Sequence, residues 1–78
     1  MSELKLSDMK PGEKGRVLSI DGGGVFLRRL VDMGVVRDVD LTLIRRAPLG
    51  DPVEVEVRGY NLTLRKAEAE NITVEVKG

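Results

Sequence analysis

The chain has 78 residues, of which 41% are hydrophobic and 33% charged, a composition typical of one folded domain. Thirteen basic residues balance thirteen acidic ones, so the chain lacks the basic excess that nucleic-acid binding normally requires. It contains no cysteine and no histidine, which excludes disulfides, zinc clusters and Cys- or His-based catalysis. No apolar run could serve as a signal peptide or span a bilayer. We therefore expect a single cytoplasmic domain over residues 1–78 that does not insert into the membrane.

The N-terminal segment combines apolar side chains with turn residues. Leu4, Leu6 and Met9 are expected to tuck beneath the domain, and the Pro-Gly pair at positions 11–12 predicts a tight turn. A first short strand is predicted over residues 15–20.

Between Val25 and Met33 the pattern changes to a helical period. At 100° per residue the apolar side chains share one arc and the charged side chains take the opposite side. Gly34 is expected to end the helix at its C-terminal cap. The apolar arc consists of Phe26, Leu27, Leu30, Val31 and Met33, and the charged side of Arg28, Arg29 and Asp32.

The remainder of the chain reads as extended structure with tight turns. The clearest alternation is Val-Glu-Val-Glu-Val at 53–57, with valines inward and glutamates outward. The sequence predicts a mainly β fold of about five short strands, one short α-helix and a helical turn, arranged as a small SH3-like barrel that leaves no exposed sheet edges. The other predicted elements are strands at 39–44, 62–64 and 72–76, a loop at 48–52, a turn at 59–61 and a helical turn at 65–71.

Two features suggest binding, and each also has an ordinary structural explanation. The glycines at 22–24 precede a helix and could cradle an anion, but the P-loop lysine and the dinucleotide spacing are missing, which favours a flexible connection. The pairs Arg28-Arg29 and Arg45-Arg46 could bind carboxylates or phosphates of a partner. Charged residues at such positions are otherwise solvated surface.

Three carboxylates could in principle surround a divalent ion, namely Asp51, Glu54 and Glu56. Ferrous iron usually prefers an imidazole or thiolate among its ligands, so the ligand types do not support bound Fe²⁺ and no cofactor is required. Without His or Cys, and with little room for a cleft, the chain is predicted not to be an enzyme.

Three segments, in order, resemble the FeoA family of small ferrous-iron transport proteins: LSDMKPGEKGRV, FLRRLVDMGV and APLGDPVEVEVRGYNLTLRKAEAENITVE. The resemblance implies an SH3-like barrel that acts as an accessory or regulator of a FeoB-type transporter, a membrane permease with a cytoplasmic GTPase domain. Two parts of the chain become candidate partner-binding residues because they occupy the family's characteristic helix and loop. They are Arg28, Arg29, Leu30 and Met33 in the helix, and Gly50, Asp51 and Pro52 in the loop.

One departure from the family pattern follows the helix, where Arg37-Asp38 stands in place of a common glycine. Aspartate tolerates left-handed backbone better than most residues, so we expect the turn to be kept.

Two rival hypotheses remain, because SH3-like folds serve unrelated functions. One is direct binding of a divalent transition metal, by a domain similar to that at the C-terminus of metal-dependent repressors. The other is a nucleic-acid-binding barrel, which the neutral charge and the shortage of aromatic residues disfavour. The sequence carries no signal for an oligomeric state.

Overall fold

The computed structural model describes residues 2–76. Met1, Lys77 and Gly78, which the predicted domain of residues 1–78 includes, lie outside the described residues. Within that range the elements are β1 (Ser2–Lys5), a 3-10 turn (Leu6–Asp8), β2 (Lys14–Ile20), α1 (Gly24–Asp32), β3 (Asp40–Arg46), β4 (Val53–Val57), β5 (Tyr60–Leu64), α2 (Lys66–Ala69) and β6 (Ile72–Val76).

The strands form one antiparallel sheet in the order β1-β6-β2-β3-β4-β5. Because β1 and β5 do not pair with each other, they remain the two edges of the sheet, and the expectation that no sheet edge is left exposed is wrong. The mainly β architecture with one short helix and a helical turn is confirmed, but residues 2–76 contain six strands where the sequence predicts about five. The missed strand is β1, which pairs with β6 so that Ser2 lies opposite Val76. A four-residue segment has too little alternation to be read as a strand, and its partner comes from the other end of the chain.

A single aliphatic core lies inside the curved sheet. Five of the six strands contribute fully buried side chains, and β4 buries all three of its valines as predicted. Leu6 and Met9 are also fully buried and Leu4 packs against the core from β1, which confirms the position expected for the N-terminal segment. The buried residues are Leu6, Met9, Val17, Leu30, Val35, Leu41, Leu43, Val53, Val55, Val57, Leu64, Ala69, Ile72, Val74 and Val76.

Helix α1 contacts this core along a narrower face than its apolar arc suggests. Leu30 is fully buried and Phe26 and Met33 are partly buried, whereas Leu27 is 40% and Val31 48% exposed. The arc predicted from the sequence spans about 160° at 100° per residue, and a helix of nine residues resting on a curved sheet covers only part of it. Two of the five residues in the arc, Leu27 and Val31, are therefore partly exposed to solvent.

Two turns depend on residues with left-handed backbone. Asp38 has φ 70°, so the expected tolerance of aspartate at this turn is confirmed, and its N–H donates to the Val17 carbonyl at 2.8 Å. The turn predicted at 59–61 instead lies at Arg58 and Gly59, with φ 52° and 86°. Two successive left-handed residues are typical of a two-residue hairpin. Because arginine rarely adopts this conformation, the sequence placed the turn too late and β5 too short.

The end of α1 is fixed by a contact with β5. Gly34 has φ +89°, and a Cβ added there would lie 2.8 Å from the Tyr60 hydroxyl oxygen. That hydroxyl donates a hydrogen bond to the Met33 carbonyl. Only glycine allows Tyr60 to approach the helix terminus this closely.

We predict that Gly34→Ala lowers the free energy of unfolding by more than the ~1–2 kcal/mol that left-handed backbone costs an L-residue, because the methyl group also meets Tyr60. Gly12→Ala is the matched control, since Gly12 has φ +90° with nothing within 4 Å of an added Cβ. Urea unfolding measures the change in the free energy of unfolding for each variant. The excess cost at Gly34 should shrink in a Tyr60→Phe background, and equal costs at Gly34 and Gly12 would contradict the contact.

Candidate functional site

The predicted helix residues occupy three different environments. Arg28 is exposed, whereas Arg29 forms an ion pair with Glu68 of α2. Leu30 is fully buried and Met33 partly buried. Both arginines are exposed, and Arg28 is the one without an ion pair among residues 2–76. Leu30 anchors the helix to the core.

The predicted loop residues belong to a tightly closed turn between β3 and β4. The Gly50 N–H donates to the Ala47 carbonyl at 2.7 Å, and the Ala47 N–H donates to the Pro52 carbonyl at 3.0 Å. Leu49 stands at the tip with its side chain 94% exposed. The loop thus presents an apolar side chain from a backbone held by hydrogen bonds at its base.

Asp51 ties this loop to α2. Its carboxylate accepts the Lys66 N–H at 3.0 Å and lies 3.3 Å from the Arg65 guanidinium. Because Lys66 is the first residue of α2, Asp51 satisfies an amide that the short helix cannot bond internally. The loop carboxylate therefore caps a helix from outside its own segment.

Helix α2 connects the two predicted partner-binding segments. The Glu68 carboxylate accepts a hydrogen bond from the Arg65 N–H at 2.8 Å and also forms an ion pair with Arg29 of α1. The Arg65 side chain and the Lys66 N–H donate to the Asp51 carboxylate. From the sequence, both segments became candidates for partner binding only through the family resemblance. A local signal for the start of α2 was present, because Arg65 and Glu68 have the three-residue spacing of a capping pair.

The other two carboxylates proposed as metal ligands lie in different surroundings. Glu54 accepts from Arg45 at 3.0 Å and from the Asn61 side chain at 2.8 Å, and Glu56 is exposed on the outer face of β4. Among residues 2–76 no group of three or more His, Cys, Asp or Glu is arranged to hold a metal ion. Asp51, Glu54 and Glu56 do not form a common site.

The second basic pair divides between surface and interior. Arg45 is exposed and paired with Glu54, whereas Arg46 is partly buried and donates to the Met9 carbonyl. Arg46 therefore joins the end of β3 to the N-terminal segment. Gly22 and Gly23 lie in the connection from β2 to α1, with Gly23 at the N-cap position, and Gly24 is the first residue of the helix.

Neither helix described between residues 2 and 76 has the length and apolar character needed to cross a bilayer.

Comparison with known proteins identifies the family of the chain. The family model described as FeoA domain matches residues 4–76. The chain belongs to the FeoA family. The resemblance of its three segments to that family is thereby confirmed.

Two solved FeoA structures share the fold of this FeoA-family chain. The FeoA protein of Chlorobium tepidum, solved by NMR, is 45% identical with a TM-score of 0.90, over 96% of this chain and 71% of that protein. The FeoA of Stenotrophomonas maltophilia, crystallised as a zinc complex and described as a prokaryotic SH3 domain protein, is 25% identical with a TM-score of 0.79, over 92% and 89% of the two chains. The SH3-like fold predicted from the sequence is confirmed.

A curated relative combines this domain with a transporter. It is a Fe(2+) transport protein A/Fe(2+) transporter FeoB fusion protein of Porphyromonas gingivalis, 36% identical over 73 residues. The match covers 94% of this chain and 9% of the fusion protein. The FeoA-family chain spans only that small part of the relative's length.

We predict that Asp51→Ala destabilises the start of α2, because the Lys66 N–H loses its acceptor. The expected cost is about 1 kcal/mol, seen as roughly fivefold faster hydrogen exchange at the Lys66 amide by NMR. Asp51→Asn is the matched control, since its side-chain oxygen still accepts that hydrogen bond while the ion pair, whose Asp51 side chain is 34% exposed, contributes little. Equal effects of the two variants would contradict the capping role.

Proposed function

We propose that this FeoA-family chain is a cytoplasmic accessory protein of ferrous-iron uptake, which regulates a FeoB-type GTPase-permease by binding to it. The observation that carries the proposal is the fusion relative, in which a domain 36% identical to this chain is joined to a transporter. Covalent joining raises the effective concentration of one module at the other, which favours direct contact. Regulation would follow if the domain bound one transporter conformation more tightly than another.

The interior of the domain supports a binding module rather than an enzyme. Catalysis requires an acid, base or nucleophile positioned in a sheltered pocket. Ser7, at 6% exposure, is the sole buried polar residue in the described part of the chain. No charged residue of the described part is fully buried, and several form ion pairs with one another.

The candidate helix and loop are held in a fixed relation that suits recognition of a partner. Arg29 and Asp51 both attach to α2, which leaves Arg28 and the tip of the loop exposed to solvent. A surface already fixed before binding loses less conformational entropy on association. Both segments can therefore contact a transporter without rearranging.

We expect saturable binding of this protein to the intact FeoB-type transporter of the same cell, reconstituted in nanodiscs. Because the chain has no native cysteine, Glu3→Cys on the opposite edge of the sheet from β5 provides a single labelling site. Fluorescence anisotropy should be measured without nucleotide, with GDP and with a non-hydrolysable GTP analogue. Affinities that differ between these states support regulation, and the absence of saturable binding in every state would overturn the proposal.

Direct metal binding is the second candidate, and the zinc complex of the Stenotrophomonas maltophilia relative favours testing it. The carboxylates of Asp51 and Glu54 already accept hydrogen bonds from amide and guanidinium groups, and a metal ion would have to displace these donors. The proposed function therefore assigns no structural role to a bound cation.

We expect anaerobic equilibrium dialysis with Fe²⁺ to show no stoichiometric binding to the wild-type protein. The control is the double variant Glu54→Ala with Glu56→Ala, which should behave like the wild type. One equivalent of Fe²⁺ bound by the wild type and lost in the double variant would instead establish the metal-binding alternative.

A further inference from the structure

The outer side of α1 carries aliphatic side chains that the rest of the described domain covers only in part. Leu27 and Val31 are 40% and 48% exposed, and their spacing of four residues makes them neighbours on the helix surface. Gly34 continues the same side of the helix, and Tyr60, itself 46% exposed, lies against it. We call the continuous strip formed by Leu27, Val31, Gly34 and Tyr60 the α1–β5 patch.

Arginines border this patch. Arg28 lies three residues before Val31 and flanks it on the helix surface, and Arg58 places its Cδ 3.9 Å from a Cβ built at Gly34. Both arginines are exposed, and neither forms an ion pair with any residue between 2 and 76. An apolar centre containing tyrosine, with arginine around it, is the composition enriched in protein interfaces.

We propose that the α1–β5 patch is the docking face of the domain, and that the transporter meets it with an apolar surface bordered by carboxylates. This inference rests on the proposed function and names the chemistry of the partner. Charge complementarity supports this partner, because Arg28 and Arg58 have no carboxylate of their own among the described residues, whereas Arg29 is paired with Glu68. Opposite charges on the partner would fix the orientation of the apolar contact.

A second copy of this chain fits the patch poorly. A two-fold dimer brings the same surface of both copies together, so Arg28 and Arg58 of one copy would face the same cations of the other. A lipid surface also fits poorly, because stable interfacial binding needs a larger apolar helix face than Leu27 and Val31 provide. The partner that satisfies both the apolar and the charged parts of the patch is an acidic-rimmed protein surface.

The test places a charge in the centre of the patch. Val31→Asp should weaken binding to the nanodisc-reconstituted transporter by about 30-fold or more, the loss typical of a central interface residue. Ile44→Asp is the matched control, because Ile44 is 38% exposed on β3 and lies outside the patch. Its affinity should stay within about twofold of wild type. Thermal unfolding of both variants verifies that each remains folded.

A charge reversal tests the basic border independently. The double variant Arg28→Glu with Arg58→Glu should bind more weakly than wild type, and added salt should strengthen its binding because salt screens repulsion. Added salt should weaken the binding of the wild type. A salt dependence of the same sign and size in both proteins would overturn the assignment of carboxylates to the partner.

The remaining outcomes separate this inference from the proposed function. If the wild type binds the transporter and Val31→Asp binds equally well, the patch is wrong and the proposed function stands. If the wild type does not bind the transporter, both fail together. Wild-type self-association, or binding to phosphatidylglycerol vesicles, that Val31→Asp abolishes would assign the patch to a second copy or to lipid and overturn the inference.

Discussion

Packing of aliphatic side chains from five strands into one core is the constraint on which the rest of this domain depends. A chain of this size buries only about 60% of its unfolded surface, and here no aromatic residue and no disulfide contributes to the fully buried interior. The core therefore needs both ends of the chain, with β1 pairing to β6 and Leu6 and Met9 closing it from below. Ser7 is the one buried polar residue among the described residues, so the proposed function uses the surfaces of the domain.

Helix α2 gives that exterior its rigidity, although it has only four residues. Its side chains and first amide hold α1 through Arg29 and the 47–52 loop through Asp51. Tyr60 fixes the other end of α1. Helix α1 is thus held at three places: by Leu30 in the core, by Glu68 on one side and by Tyr60 at its terminus. An apolar side facing solvent is consequently presented in one orientation, which suits a docking face.

The sequence predicted those parts of the fold that local patterns determine. The alternation in β4 and the capping turn at Gly34 were readable because strand and helix periods differ and because glycine marks left-handed backbone. Strand β1 was missed because its partner lies at the far end of the chain, and the hairpin at Arg58 was misplaced because arginine gives no signal for positive φ. The resemblance indicated a helix and a loop as candidate binding segments but could not tell which helix residues face the core. Leu30 and Val31 are adjacent aliphatic residues, and only the packing of α1 on the curved sheet buries the first and exposes the second.

Methyl-labelled NMR of the leucine and valine side chains, with and without the transporter, tests most directly whether the outer side of α1 forms the contact. The account predicts that the methyl signals of Leu27 and Val31 shift or broaden on binding, while those of the buried Leu43 and Val55 do not change. Perturbation confined to Leu4 and its surroundings on the opposite sheet edge, with Leu27 and Val31 unchanged, would contradict it.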